Sequence, residues 1–248
     1  MAASLARPAA RSTTQSAARA VLRAIGRALP LLFNGRLLGR LGLWTLGAFF
    51  AWLAIGVFAF DPATHAIEAM LGSTSTVAHA FAGLFVFLTL VAAAIVTAIV
   101  AVATLAMPAI VALVAARYYP DLERRHGGRW QGSVRNAAFT LLMFVPLWLV
   151  ALLLLGLPPL YLAVSWCLNG WLNQRLFRYD ALAEHADPLE LVEVPRHIRG
   201  RLFALGVIFA PLTLVPIVNL AVPLFAGIAF ACLCLDALAH RRAELARR

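Results

Sequence analysis

Two Gly-Arg pairs, Gly35-Arg36 and Gly39-Arg40, stand four residues apart directly before a long uncharged stretch. That spacing puts both guanidinium groups on one face of a helix. A guanidinium fork suits a tetrahedral oxyanion, and backbone N–H groups at a helix start add the positive end of a dipole. Gly35, Arg36, Gly39 and Arg40 are therefore the candidate residues for anion contact. The competing assignment is that these arginines snorkel to lipid phosphates.

Helix breakers inside apolar runs mark a second set of positions. Pro158-Pro159, preceded by Gly156, interrupts the uncharged run from Asn136 to Gln174, and Pro216, Asn219 and Pro223 interrupt the run from Leu202 to Leu235. Two apolar segments broken in corresponding positions point to a transporter site. Non-helical backbone at membrane depth survives only where it is buried in protein or faces water. Pro158, Pro159, Pro216 and Asn219 are the candidate pathway residues. In the alternative, both turns reach the far surface as tight loops.

Other chemistry finds little support. The chain has no Lys and no G-x-x-x-x-G-K-[ST] loop, which excludes a phosphate-cradling pump motif. It has no HExxH, no G-x-S-x-G and no paired carboxylates within the apolar runs, so no catalytic residue and no enzyme activity is expected. His65, His79, His126, His185, His197 and His240 lack ligand spacing, so no metal and no cofactor is expected either. Cys167, Cys232 and Cys234 all sit in apolar runs, where cysteine behaves as a small hydrophobe. Asn136, Asn169, Asn173, Gln174 and Asn219 suit helix–helix hydrogen bonds, and Asp236, beside His240 and Arg241, suits an interfacial charge.

The elements that must carry these residues are set by composition. Of 248 residues, 62% are hydrophobic and 13% charged, with a mean hydropathy of +0.86. Soluble domains carry about 25% charged residues, so lipid is the natural solvent. Residues 1–16 are small and polar and predict a disordered tail. From Ala17 to Arg40, Arg19, Arg23 and Arg27 recur every four residues while Val21, Leu22, Ile25 and Leu29 take another face. This predicts a basic amphipathic helix lying on an anionic leaflet, although an Arg-rich, acid-poor N-terminus also fits an organelle transit peptide. The first span is expected over Leu41–Phe60, stopped by Asp61-Pro62, with a loop over Asp61–Thr76. The second run, Val77–Ala116, predicts one long helix kinked or broken at Pro108. Gly127-Gly128 should end a helix carrying Glu123-Arg124-Arg125. The two Pro-broken runs predict helical hairpins, and Arg175–Arg201 between them predicts a solvated loop or surface helix.

All 21 basic residues are Arg. Seven lie before the first span, five in the 117–135 loop, five in the 175–201 loop, four at the C-terminus and none in the 61–76 loop. Basic blocks flanking apolar spans follow the positive-inside rule, placing every charged loop but that one in the cytoplasm together with both termini. The net charge of +10 is thereby explained without nucleic acid. Absence of Lys beside abundant Ala fits a G/C-rich genome and hence a bacterium.

The C-terminal run, FALGVIFAPLTLVPIVNLAVPLFAGIAFACLCLD, follows Tyr179-Asp180, a charged stretch and Arg201. With its Val215–Pro223 pattern, Gly227 and closing Asp236, it resembles the CysZ-like sulfate transporter family, which belongs with the etoposide-induced-protein domain proteins. Met107-Pro108 followed at a distance by Leu122-Glu123 is similar to that family's second long span and the acidic-basic segment after it. The family's Gly and adjacent arginines correspond to Gly35-Arg36 and Gly39-Arg40, and its Pro-Gly turn to Leu157-Pro158-Pro159. The resemblance covers roughly residues 30–240. It implies sulfate uptake feeding cysteine synthesis, two long spans and two hairpins that penetrate the membrane only in part.

The expected architecture is all-α and integral to the membrane: two long transmembrane helices, two Pro-broken hairpins and an N-terminal interfacial helix. Residues 17–240 form one CysZ-like membrane domain between the 1–16 tail and a basic tail at 241–248. The expected function is transport or conduction of sulfate or a similar oxyanion across a bacterial inner membrane, by a homo-oligomer in contact with anionic lipid. The rival is a membrane-organising or assembly protein that does not transport.

Overall fold

The computed structural model describes residues 6–72, 75–214 and 221–247. The fold is all-α, with no strand among the described residues. Helices run over Ala6–Leu32 (α1), Gly35–Leu71 (α2), Thr76–Tyr118 (α3), Trp130–Leu152 (α4), Pro158–Leu182 (α5), Glu190–His197 (α6), Arg199–Phe209 (α7) and Val222–Ala246 (α8). Among the described residues, three segments, Phe49–Leu71, Trp130–Gly156 and Val222–Ala246, are long and apolar enough to cross a membrane. The chain divides into two compact units: residues 1–34 with 107–248, and residues 35–106.

In the larger unit α5 packs against α4, α7 and α8, and α1 lies along α8. The middle of α8 is the core: Ile228 through Leu235 are buried without a break. Phe230 stacks on Phe177 with centroids 5.3 Å apart, and Phe209 meets Phe225 edge-on at 5.0 Å. Helix pairs in membranes approach closely only where side chains are small. The crossing of α5 and α7 obeys this at Gly170 and Gly206. A Cβ on Gly206 would stand 2.4 Å from the Gly170 carbonyl oxygen, and one on Gly170 2.5 Å from Val207 Cγ2.

The smaller unit holds α2 and α3 as far as Ala106. With 37 and 43 residues, the two whole helices are about 55 and 65 Å long at 1.5 Å per residue, well beyond a hydrocarbon core of about 30 Å. Asp61-Pro62 does not stop the first span, since α2 runs on through Pro62 to Leu71. The Thr64 hydroxyl donates to the Phe60 carbonyl at 2.8 Å, and the Glu68 carboxylate is buried between His65 and His79. These contacts hold the turns after Pro62. The expected 61–76 loop thus shrinks to a short turn after Leu71, with Gly72 in the left-handed region (φ +64°) that glycine adopts without strain. Pro108 likewise lies within an uninterrupted α3.

Two further expectations are corrected. Glu123-Arg124-Arg125 is not helical: Leu122–Gly128 is an irregular connection. It is pinned by hydrogen bonds from His126, Gly127 and Gly128 N–H to the Glu184, Ala186 and Ala183 carbonyls. A Cβ on Gly128 would lie 2.6 Å from the Ala183 Cα, so Gly127-Gly128 serves close backbone approach rather than helix termination. Of the two readings of Arg175–Arg201, the helix is the one found, with α5 reaching Leu182, α6 over Glu190–His197 and α7 starting at Arg199, but it is not at the surface throughout. Ala181, Leu182, His185, Ala186, Glu190 and Val194 are buried within it.

Candidate functional site

Gly35 is the first residue of α2, which places Gly35 and Arg36 in the first turn and Gly39 and Arg40 one turn on. The side chains of Arg36 and Arg40 lie outside the described residues, as do Pro216 and Asn219. Pro158 and Pro159 are described. A 3-10 turn over Leu153–Gly156 ends α4, Leu157 is non-helical (φ −127°, ψ 75°), and the two prolines are the first residues of α5. Helix starts leave N–H groups without intrahelical acceptors, and proline has no N–H to leave. The Leu157 carbonyl accepts from both Leu160 and Tyr161, while Leu157 N–H donates to the Leu154 carbonyl at 2.8 Å. The turn is thus economical in polar backbone, as a bend in a lipid-embedded hairpin must be.

The arginine-bearing segments meet in two clusters that the sequence did not link. In the first, Arg27 of α1 donates from Nη1 to the Tyr119 hydroxyl at 2.6 Å and to Asp236 Oδ1 at 3.2 Å. Tyr119 also donates to Asp236 at 3.0 Å, and the Tyr118 hydroxyl donates to the Arg27 carbonyl. The guanidinium carbon lies 5.3 and 5.8 Å from the two tyrosine ring centroids. Asp236 is therefore a shared acceptor tying α1 and the end of α3 to α8, beyond the interfacial charge expected for it. The face by which α1 docks on the protein is not the apolar face expected to meet the leaflet. Ala20, Val21, Ala24, Ala28 and Leu31 are buried, leaving Leu22, Leu29 and Phe33 at 65%, 52% and 75% exposure. The alanines at four-residue spacing let α1 approach α8 closely, which turns its larger apolar side chains outward.

The second cluster centres on Arg242 and Glu190, both well buried. Arg242 grips the carboxylate with two bonds, Nε to Oε1 at 2.8 Å and Nη2 to Oε2 at 2.7 Å. It also donates to the His185 carbonyl at 2.7 Å and the Glu123 carbonyl at 2.9 Å. Arg125 approaches Glu190 at 3.7 Å and Asp187 at 3.4 Å. Asp187 and Glu190 form a reciprocal cap at the start of α6. Asp187 N–H donates to Glu190 Oε2, and Glu190 N–H donates to Asp187 Oδ1. The hydrogen bonds from Arg242 hold the Glu190 carboxyl below the usual range, and the backbone bond from Glu190 does the same for Asp187. Beside them His185 is buried with Nδ1 unpartnered among the described residues. Burial, with like charge on Arg124, Arg242 and His126, pushes its imidazole down to about 4. The Asp187-x-x-Glu190 spacing was the one sequence signal for this cluster, and it marks only the cap.

In the smaller unit Glu68 takes a ring nitrogen from each side, His65 Nδ1 at 2.9 Å and His79 Nδ1 at 2.7 Å. This trio latches the end of α2 to the start of α3. It was not anticipated, because the intervening stretch was expected to be a loop.

A family model described as sulfate transporter CysZ/etoposide-induced protein 2.4 matches residues 24–223. Nothing among curated proteins or solved structures matches the chain. The matched stretch takes in both long helices, the whole first hairpin and all of α6 and α7. On that coverage the chain belongs to the sulfate transporter CysZ/etoposide-induced protein 2.4 family.

Proposed function

We propose that this multi-pass membrane protein transports or conducts sulfate or a similar tetrahedral oxyanion, in support of sulfur assimilation. The observation that carries the reading is the family match over residues 24–223. The Pro158-Pro159 hairpin turn, with its satisfied backbone, supports it. In this reading the start of α2 supplies the anion contacts, through Gly35 and Gly39 backbone and the Arg36 and Arg40 guanidinium groups. The turns at Pro158, Pro159, Pro216 and Asn219 border the path. The protein sits in a bacterial inner membrane with both termini cytoplasmic, following the arginine distribution, and assembles as a homo-oligomer that covers the polar turns.

Radiolabelled sulfate uptake into proteoliposomes tests this. Uptake above that of protein-free vesicles is expected, falling about tenfold or more in Arg36→Ala plus Arg40→Ala, since charge-assisted hydrogen bonds contribute about 1.5–3 kcal/mol each. Absent uptake, or uptake indifferent to the double substitution, removes the assignment. It would favour a membrane-organising role, for which the outward Leu22 and Leu29 of α1, with Phe33 just after it, are the supporting observation.

A further inference from the structure

The flank of α1, the junction of α6 with α7 and the last turns of α8 border a solvent-open cavity of ≈ 470 Å³. Three guanidinium groups, Arg23, Arg201 and Arg241, line it together with His197, His240 and the carboxylates of Asp236 and Glu244. Most of these charges differ in whether they are already matched. Asp236 holds Arg27 and Tyr119. Arg241 is ion-paired with Glu193, yet its Nε–H is buried and has no acceptor among the described residues. Arg23, Arg201 and the Glu244 carboxylate have no hydrogen-bond or ion-pair partner among the described residues, although they come from three different elements and border one cavity. Arg23 and Glu244 are exposed and Arg201 is half-buried, so each is solvated, and an anion drawn to the two guanidinium groups lowers the local positive potential.

The unmatched groups specify the ligand. Arginine forks recognise phosphate oxygens in a planar, two-bond geometry. The volume falls in the range of sites for small organic molecules, about 300–1,000 Å³, and exceeds what a bare tetrahedral anion fills. Val194, Ile198 and Leu245 give the wall an apolar stretch for a carbon skeleton. A lone carboxylate beside the arginines disfavours a plain anion and favours one that also carries a donor. We propose that this cavity binds an organic phosphate bearing a hydroxyl or ammonium group, with the phosphate on Arg23 and Arg201 and the donor on Glu244. Such a group comes from a phospholipid head or from a soluble phosphate ester. The site is distinct from the anion contacts proposed at the start of α2, and its test does not depend on sulfate transport.

The full chain in phosphatidylcholine nanodiscs is titrated calorimetrically with phosphoethanolamine, glycerol 3-phosphate and inorganic phosphate. In parallel, native mass spectrometry reads the lipid retained by protein taken from membranes of phosphatidylethanolamine and phosphatidylglycerol. A soluble ligand predicts saturable binding of either ester about tenfold tighter than inorganic phosphate, weakened about tenfold by Arg23→Gln plus Arg201→Gln. A lipid ligand predicts no binding of the soluble esters, but one retained phospholipid per chain that the double variant loses. Binding of neither, or binding unaltered in a double variant that elutes like the native protein, overturns the proposal. If the double variant does not fold, Glu244→Gln decides. It should erase the preference for the donor-bearing ester, or for one lipid over the other, and an unchanged choice of ligand overturns the assignment.

Discussion

Arg242 shows how much of this molecule rests on single side chains. It satisfies both oxygens of Glu190 and two backbone carbonyls from separate connections, so its loss leaves a nearly buried carboxylate and two acceptors unpaired. Breaking a buried ion pair by removing one partner costs about 3–5 kcal/mol, whereas exposed pairs contribute under about 1 kcal/mol. Thermal unfolding of Glu190→Leu should therefore register a loss of that order, while Glu123→Ala, whose partner Arg125 is well exposed, should register almost none. Measured against Arg242→Met alone, the double variant Arg242→Met plus Glu190→Leu recovers only part of the loss, because the His185 and Glu123 carbonyls still lack their donor. His185 adds a pH dependence of known sign. The unfolded chain takes up the imidazole proton near 6.5, whereas the folded protein resists until about 4. Stability is thus full above about 6.5 and declines as pH falls toward 4, by on the order of 1–3 kcal/mol. Glu190 and Asp187, whose carboxyls are held low by their hydrogen bonds, lose their contributions only at still lower pH. Denaturation profiles should show the decline between pH 6.5 and 4 in the native protein and a flatter curve in His185→Leu. Equal slopes for the two would show that another group titrates there. Beyond the Asp187-x-x-Glu190 cap, nothing in this cluster could be read from sequence. Glu123, Arg125, His185, Glu190 and Arg242 lie up to 119 positions apart, and a charge in a solvated loop looks the same in sequence as one gripped by a distant helix.

At the scale of elements the legible features were those encoded by local rules. Uncharged runs gave α3, and the Pro158-Pro159 pair gave the bend between α4 and α5, because hydropathy and missing N–H groups act within a few residues. The failures also share a cause. Pro62 was expected to end α2, but a helix whose later turns are held by Thr64 and by the His65–Glu68–His79 latch outlasts the local cost of proline. The amphipathic pattern of α1 speaks to its larger apolar residues, Leu22 and Leu29, which stay exposed, whereas the face buried in the protein is built on alanines, which carry no such signal. Gly170 and Gly206 carried no visible pattern of their own, since they lie on different helices and matter only where those helices cross. Their crossing makes the sharpest prediction at this scale. In Gly206→Ala the new methyl group must displace the Gly170 backbone, and rigid backbone cannot yield as a flexible side chain does. Overpacking of this kind costs about 1–3 kcal/mol, so the variant should unfold at lower temperature and yield less folded protein. Gly200→Ala on the same helix, with nothing within 4 Å of its added Cβ, provides the neutral comparison.

In the proposed orientation the arginines share one side, and contacts within the larger unit give a physical reason that they can. Glu190 touches both Arg125 and Arg242, and Asp236 touches Arg27, so the connection after α3, the α5–α6 connection, the end of α8 and α1 all converge. Segments in direct ionic contact cannot lie on opposite faces of a bilayer. The turn between α2 and α3 carries no arginine, so in the proposed orientation the positive-inside rule places it on the other side. This makes orientation testable with two single cysteines in a chain whose Cys167, Cys232 and Cys234 have been replaced. Leu189 and Met70 are 74% and 87% exposed, so a thiol at either place is open to reagent. A membrane-impermeant maleimide applied to intact cells should modify Met70→Cys at once and Leu189→Cys only after the membrane is opened. The reversed pattern would keep the fold and invert the molecule. Labelling of both sites from outside would mean that α2 and α3 do not carry their shared turn to the side opposite Leu189, which removes the proposed orientation.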